Sequence, residues 1–232
     1  ATEAAAAQNF NMVTFAGRAL QSPIGFQDPS NAIYELISPS RLDGVIVLSS
    51  GLALYTGLEG VRDFVKGFDN LPLVSLQMAL PGVPSILVDD YRGMREVVDH
   101  LIEVHHYRRI AFVRGPVTHG GAEDRYRAYR ESLADHNIHF DPALVFPPGK
   151  RWSNEAGIER FLSTLGSKAQ NLDALIGASA GLAQQAMHRL NQTGLRIPED
   201  VAVAGFDDFP FIGSVLPPLT TARVPFDVMG RR

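Results

Sequence analysis

Residues Gly177-Ala178-Ser179-Ala180-Gly181 follow the pattern G-x-S-x-G. Between a strand and a helix, that pattern presents a serine nucleophile on a sharp turn. The flanks suit it: 172–176 is a short apolar run, and 182–190 carries apolar residues at helical spacing. Acyl transfer at Ser179 would need an acid and then a histidine further along the chain. The histidines are His100, His105, His106, His119, His136, His139 and His188, and only His188 follows the serine. Nine residues along one helix separate the two by about 13 Å, beyond the reach of a hydrogen bond. Asp207 and Asp208 come later, but no histidine follows them. Ser179 therefore reads as part of a tight strand-to-helix turn, where small residues let backbone or ligand approach closely.

Other reactive chemistry finds little support. His100, His105 and His106 lie five and six residues apart, whereas helical metal pairs favour a spacing of four. The sequence has no cysteine, which excludes disulfides and thiolate metal sites. Gly115-Pro116 and Gly120-Gly121 form neither a P-loop nor a G-x-G-x-x-G turn. The expectation is a chain that is not an enzyme, with no cofactor and no metal. What remains is a set of polar residues after apolar runs: Ser49-Ser50, Asp89-Asp90, Arg114 with the loop to Arg125, Ser179, and Asp207-Asp208. Ligands of open α/β sheets bind beyond such strand ends. Tyr55, Tyr91, Trp152, Phe206 and Phe209 lie close by in sequence and could stack on a sugar or base ring. Binding is the chemistry that these residues suit.

The elements that must position them alternate along the chain. Apolar, β-rich runs at 12–15, 44–48, 73–76, 85–88, 109–113, 172–176 and 201–205 predict strands. Helical spacing links Met94, Val97, Leu101 and Val104, and likewise Ile158, Phe161 and Leu162; 33–37 and 182–190 behave similarly. Near-continuous apolar strands alternating with helices predict parallel sheets covered on both faces. Turn-rich breaks fall at 80–84 and 141–149. The 232 residues, 45% of them hydrophobic, allow one large domain or two modest α/β lobes. With 21 basic and 25 acidic residues the net charge is −4, which disfavours a nucleic-acid surface. No apolar run approaches the roughly 20 residues that span a bilayer, so a cytoplasmic protein without a membrane partner is expected. The opening stretch 1–7 reads as helix-forming and 225–232 as the first turns of another helix. A doubly wound fold should open on a strand, so truncation at both ends is expected.

Four segments carry a resemblance to a known family. They are HLIEVHHYRRIAFVRGP (100–116), AEDRYRAYRESLADHNI (122–138), GLRIPEDVAVAGFDD (194–208) and PPLTTARVPFDVMGRR (217–232). In order and spacing they resemble the effector-binding core of lactose- and galactose-repressor-type regulators, over about residues 9–232. The resemblance implies a two-lobed periplasmic-binding-protein-like fold of type I, with residues 1–88 and 222–232 in one lobe and 89–221 in the other. It implies chain crossings near Asp89 and Thr220-Thr221, an effector between the lobes, and signalling by lobe closure. It also implies a homodimer and a small polar ligand of the sugar or nucleoside class. Carried over, its ligand contacts fall on Asp89, Arg125 and Asp207; Ser179, Ser49, Tyr91 and Trp152 complete the candidate set. A guanidinium at Arg125 could hold two hydroxyls or a carboxylate. Asp207 could accept from a pair of ring hydroxyls.

The chain departs from the family pattern in two places. Ser179-Ala180 stands where an Asn-Asp pair usually opens the helix, and Asp89-Asp90 where Asp-Asn is usual. The first change removes an amide and a carboxylate, so the ligand need not be a typical sugar of the family. The 232 residues hold no helix-turn-helix pattern of a DNA-binding headpiece and are expected not to bind DNA themselves. Segments 18–27, 42–52 and 87–105 are also similar to cores fused to bacterial histidine kinases or diguanylate cyclases. The expected roles are therefore the sensory core of a transcription regulator, which reaches DNA through a headpiece, or a sensor fused to a signalling enzyme. A transport-linked solute receptor is a weaker third.

Overall fold

A computed structural model describes residues 2–149, 152, 155–165, 171–208 and 217–232. The chain forms two compact units, Ala1–Val88 with Pro225–Arg232, and Asp89–Val224.

The first unit holds a parallel sheet of three strands, β1 (Val45–Leu48), β2 (Leu73–Leu76) and β3 (Ser85–Ile86), in that order. Val45 pairs with Leu73 and Ser75 with Ser85. It also holds helices α1 (Thr2–Ala7), α2 (Ser49–Leu52) and α3 (Gly57–Val65) and 3-10 turns at Pro29–Leu36 and Lys66–Phe68. Its core gathers Val47, Ala53, Val61, Val65, Phe68 and Leu80. Phe64 sits edge-on between Tyr34 and Phe68, with centroids 5.2 and 5.0 Å away. The strand expected at 12–15 does not form. β1 pairs with β2 alone, and Met12 and Val13 stay exposed, so the run finds neither a ladder nor a core. The helical run expected at 33–37 is the end of a 3-10 turn that Pro29 opens.

The second unit is built on five parallel strands: β4 (Ile110–Val113), β5 (Val145–Phe146), β6 (Ala174–Gly177), β7 (Ala202–Asp207) and β8 (Thr220–Arg223). Their order is β5-β4-β6-β7-β8. Every residue of β4 and β6 is buried, as a central strand covered on both faces requires. Two signals were missed. β5 lies inside the turn-rich stretch 141–149, because two paired residues are too few to show a period. β8 reads as a polar TTAR run, yet it pairs with β7 and keeps residues 222–224 in this unit.

The covering helices are α4 (Asp90–Glu103), α5 (Gly120–Asp135), α6 (Glu155–Leu165) and α7 (Ala180–Gln192). On α4 the apolar stripe buries Met94, Val97, Val98 and Leu101, while Val104 falls past the helix end and is exposed. Ile158, Phe161 and Leu162 of α6 are buried as their spacing predicts. A short α8 (Phe226–Met229) lies in the stretch 225–232 and belongs to the first unit.

Candidate functional site

The strand order of the second unit fixes where its ligand end lies. From β4 the chain turns one way to β5 and the other way to β6, so the sheet reverses its winding between β4 and β6. Doubly wound sheets bind ligands beyond the carboxyl ends of the strands at such a reversal. Arg125, in the second turn of α5 after β4, reaches to that place. The residue is 5% exposed. Nη1 donates to the carbonyl of Ala178, just past β6, at 2.6 Å. Nε donates to Asp90 Oδ1 at 2.8 Å, and Nη2 lies 2.7 Å from the same oxygen. Nη2 also donates to Asp207 Oδ1, at the end of β7, at 3.1 Å. The ring of Phe206 packs under the guanidinium, with Cζ 3.8 Å from the centroid, and Trp152 lies on it at 5.5 Å. Charge-assisted bonds and π contacts of this kind hold a buried cation in one pose.

Glycines make the close approach feasible. A β-carbon on Gly121 would collide with Asp90 Oδ2, and one on Gly93 would stand 2.9 Å from the Phe206 ring. A β-carbon on Gly115 would stand 2.6 Å from the Trp152 ring. Gly177 meets the backbone of Ala183, so no side chain fits at the strand-to-helix turn. The backbone at Asp207 and Asp208 is left-handed, with φ of 102° and 46°. Non-glycine residues hold such angles at a cost of about 1–3 kcal/mol each and do so mostly at functional sites.

The electrostatics follow from burial. Burial pushes the Asp207 carboxyl above its ordinary range; Arg125 pulls it back, and Asp90 pushes it up again. His119 caps α5 by accepting the Ala122 amide at Nδ1, and its ring stands edge-on to Trp152 at 5.0 Å. Burial first, and then the Arg125 charge, hold His119 below the usual histidine value, so it adds no positive charge at neutral pH. Arg114 is committed elsewhere, to both oxygens of Glu123 at 2.7 and 2.9 Å and to the face of Tyr126.

The expected site residues divide into three groups. Arg125, Asp207 and Trp152 come together. Ser179, 6% exposed, adjoins them through its neighbour Ala178, but its Oγ accepts the Leu182 amide and caps α7. Asp89 is exposed and caps α4 by accepting the Arg92 amide at 3.0 Å; it makes no contact with Arg125. The carboxylate at the guanidinium is Asp90, the next residue. Tyr91 turns to α5, where its hydroxyl donates to Glu131 and Arg127 lies 4.8 Å over its ring. Ser49, in the first unit, is fully buried and shares a hydrogen bond with Ser75 at 2.7 Å. Phe206 serves as a floor for Arg125 and is 2% exposed. Tyr55 lies in the first unit, and Phe209 falls outside the described residues. Among the described residues, no cluster of three or more metal-type ligands occurs.

A doubly wound parallel sheet with a buried, charge-bearing site at its winding reversal defines an α/β ligand-binding core. The chain belongs to the periplasmic binding protein-like domain family, which matches residues 98–232, and its relatives place it among the lactose- and galactose-repressor-type effector cores. It is 33% identical over 144 residues to the HTH-type transcriptional regulator CelR of Thermobifida fusca, covering 62% of this chain and 41% of that one. Among solved structures, a LacI family transcriptional regulator from Mycobacterium smegmatis superposes with a TM-score of 0.73 at 27% identity, over 99% of this chain and 79% of that one. A transcriptional regulator CelR–cellobiose complex gives 0.67 at 29% identity, over 83% and 57%. The chain spans about half the length of the curated relatives it matches, from 41% to 58%. Among the described residues no helix is long and apolar enough to cross a membrane.

Proposed function

We propose that this chain is the effector-binding core of a bacterial transcription regulator, and that a small polar metabolite binds at Arg125. The observation that carries the reading is the Arg125 cluster: one buried guanidinium that collects α4, the end of β6 and the end of β7 at the winding reversal. Such convergence of polar groups at a ligand end suits binding and needs no catalytic partner. The relatives support a regulator over a fused kinase or cyclase sensor, since those named above are HTH-type or LacI family regulators. DNA would then be bound by a headpiece outside these residues, in the cytoplasm, with the core acting as a homodimer. The family resemblance supplies the signal, closure of the two units on the ligand. A sugar or nucleoside is the favoured class; the CelR relative was solved with cellobiose.

A thermal-shift screen of sugars, nucleosides and related metabolites against the 232-residue chain tests this reading. The expected result is a stabilising ligand whose affinity falls at least tenfold in Arg125→Ala. Binding that Arg125→Ala leaves untouched would remove the site from Arg125.

A further inference from the structure

The sequence allows Arg125 to receive a carboxylate from the ligand, but the structure has already filled that role. Asp90 Oδ1 takes both Nε and Nη2 of the guanidinium, and Asp207 Oδ1 takes Nη2 as well. Asp90 Oδ2 lies against Gly121, in the first turn of α5. A helix N-terminus beside a guanidinium is where an anionic ligand would sit. Here the protein's own carboxylate holds that place.

The charges do not balance. Two carboxylates, with side chains 12% and 15% exposed, face one cation. Among the described residues, the charged groups around them are spoken for or uncharged. Arg114 is paired with Glu123 and Asp208 with Arg223; His119 is held neutral; and Asp89 is exposed and caps α4. With both carboxylates ionised, the described groups of the cluster thus carry one net negative charge. Among the described residues, no group donates to Asp90 Oδ2 or Asp207 Oδ2.

We propose that the site selects a ligand that donates hydrogen bonds to Asp90 and Asp207 through hydroxyl or, better, protonated amino groups, and that it rejects phosphorylated or carboxylated ligands. This rests on the reading of Arg125 as the effector site. An amino group would bring a balancing positive charge to Asp90 Oδ2 and Asp207 Oδ2, to which no group donates among the described residues. A phosphate or carboxylate would meet like charge and find the guanidinium fork occupied, which is how a binding site discriminates by repulsion. Asp90 is the determinant, because an asparagine there would leave the cluster neutral and give the Arg125 fork back one of its bonds.

The test is isothermal titration of the 232-residue chain with a panel of aldohexoses and ribonucleosides, each in neutral, amino and anionic (phosphate or carboxylate) form. The expected order within a binding scaffold is amino, then neutral, with the anionic form at least tenfold weaker than the neutral one. Asp90→Asn should reduce the preference for the amino form about tenfold and admit the anionic form; Asp207→Asn serves as a second variant if the first fails to fold. An anionic form that binds the parent chain as tightly as its neutral counterpart overturns the proposal while leaving the effector site in place. An unchanged order in a folded Asp90→Asn or Asp207→Asn chain does the same. If no form of any scaffold binds, the effector reading fails, and this inference fails with it.

Discussion

Arg125→Met would remove the guanidinium while keeping an unbranched stem of similar reach. The residue is 5% exposed, and the Asp90 and Asp207 side chains that it pairs with are only 12% and 15% exposed. Stripping one partner from a buried ion pair costs about 3–5 kcal/mol, because a charge is left without compensation. The remaining exposure of the two carboxylates lets water relieve part of this, so about 3 kcal/mol is expected. The cost should be electrostatic in origin. Adding Asp90→Asn and Asp207→Asn to the same chain should therefore restore part of it, since no uncompensated buried charge then remains. Urea unfolding followed by tryptophan fluorescence is the assay. Trp152 is the only tryptophan, and its ring lies 5.5 Å from the guanidinium, so the signal reports on the unit that carries the cluster. A loss below about 1 kcal/mol for Arg125→Met would be that of a surface pair, and would refute the buried cluster. Recovery of nothing by the two asparagines would refute its electrostatic origin.

Two further outcomes follow from the same geometry. Gly121→Ala should destabilise the chain by about 1–3 kcal/mol despite the better helix propensity of alanine, since its β-carbon collides with Asp90 Oδ2; Gly120→Ala, which faces open space, should be neutral or slightly stabilising. Thermal melts of the two variants side by side check this, and equal melting temperatures would sink it. The pH dependence of Asp207 has a definite sign: its folded pKa is raised above the usual 3.8, so the native state takes up the proton before the unfolded one. The parent chain should gain stability relative to Asp207→Asn as pH falls from neutral toward about 4, with the gain complete once both states are protonated. Asp200, held down at about 2 by Arg196, acts in a separate window, losing its contribution as pH falls from 3.8 toward about 2. Melting temperatures of parent and variant between pH 7 and 4 decide the sign; a parent that loses ground on acidification would contradict it.

How far the site could be read from the sequence depends on what kind of signal each residue leaves. Strand ends are visible because apolar runs stop, and that rule pointed to Ser49-Ser50, Asp89-Asp90, Arg114 with the loop to Arg125, Ser179 and Asp207-Asp208, from which the family resemblance singled out Asp89, Arg125 and Asp207. It could not choose within a pair. Asp89 is the N-cap, bound to the Arg92 amide, and Asp90 is the first helical residue, turned toward α5. One step along the chain separates a local role from a long-range one, and only the partner 35 residues away distinguishes them. The serine at 179 shows the same ambiguity, since a cap and a nucleophile occupy the same turn, and the missing histidine decided between them. Nor could proximity to a strand end tell where a side chain turns: Ser49 turns inward to Ser75 and Tyr91 sideways to Glu131. Strands β5 and β8 were lost for a different reason: their pairing comes from neighbours far along the chain, and two or four residues leave no periodic trace. The substitution of Asp for the usual Asn at 90 was legible as a departure, but its meaning was not. It acquires one only beside Gly121, where the absent β-carbon leaves room for a carboxylate that an incoming anion would otherwise supply.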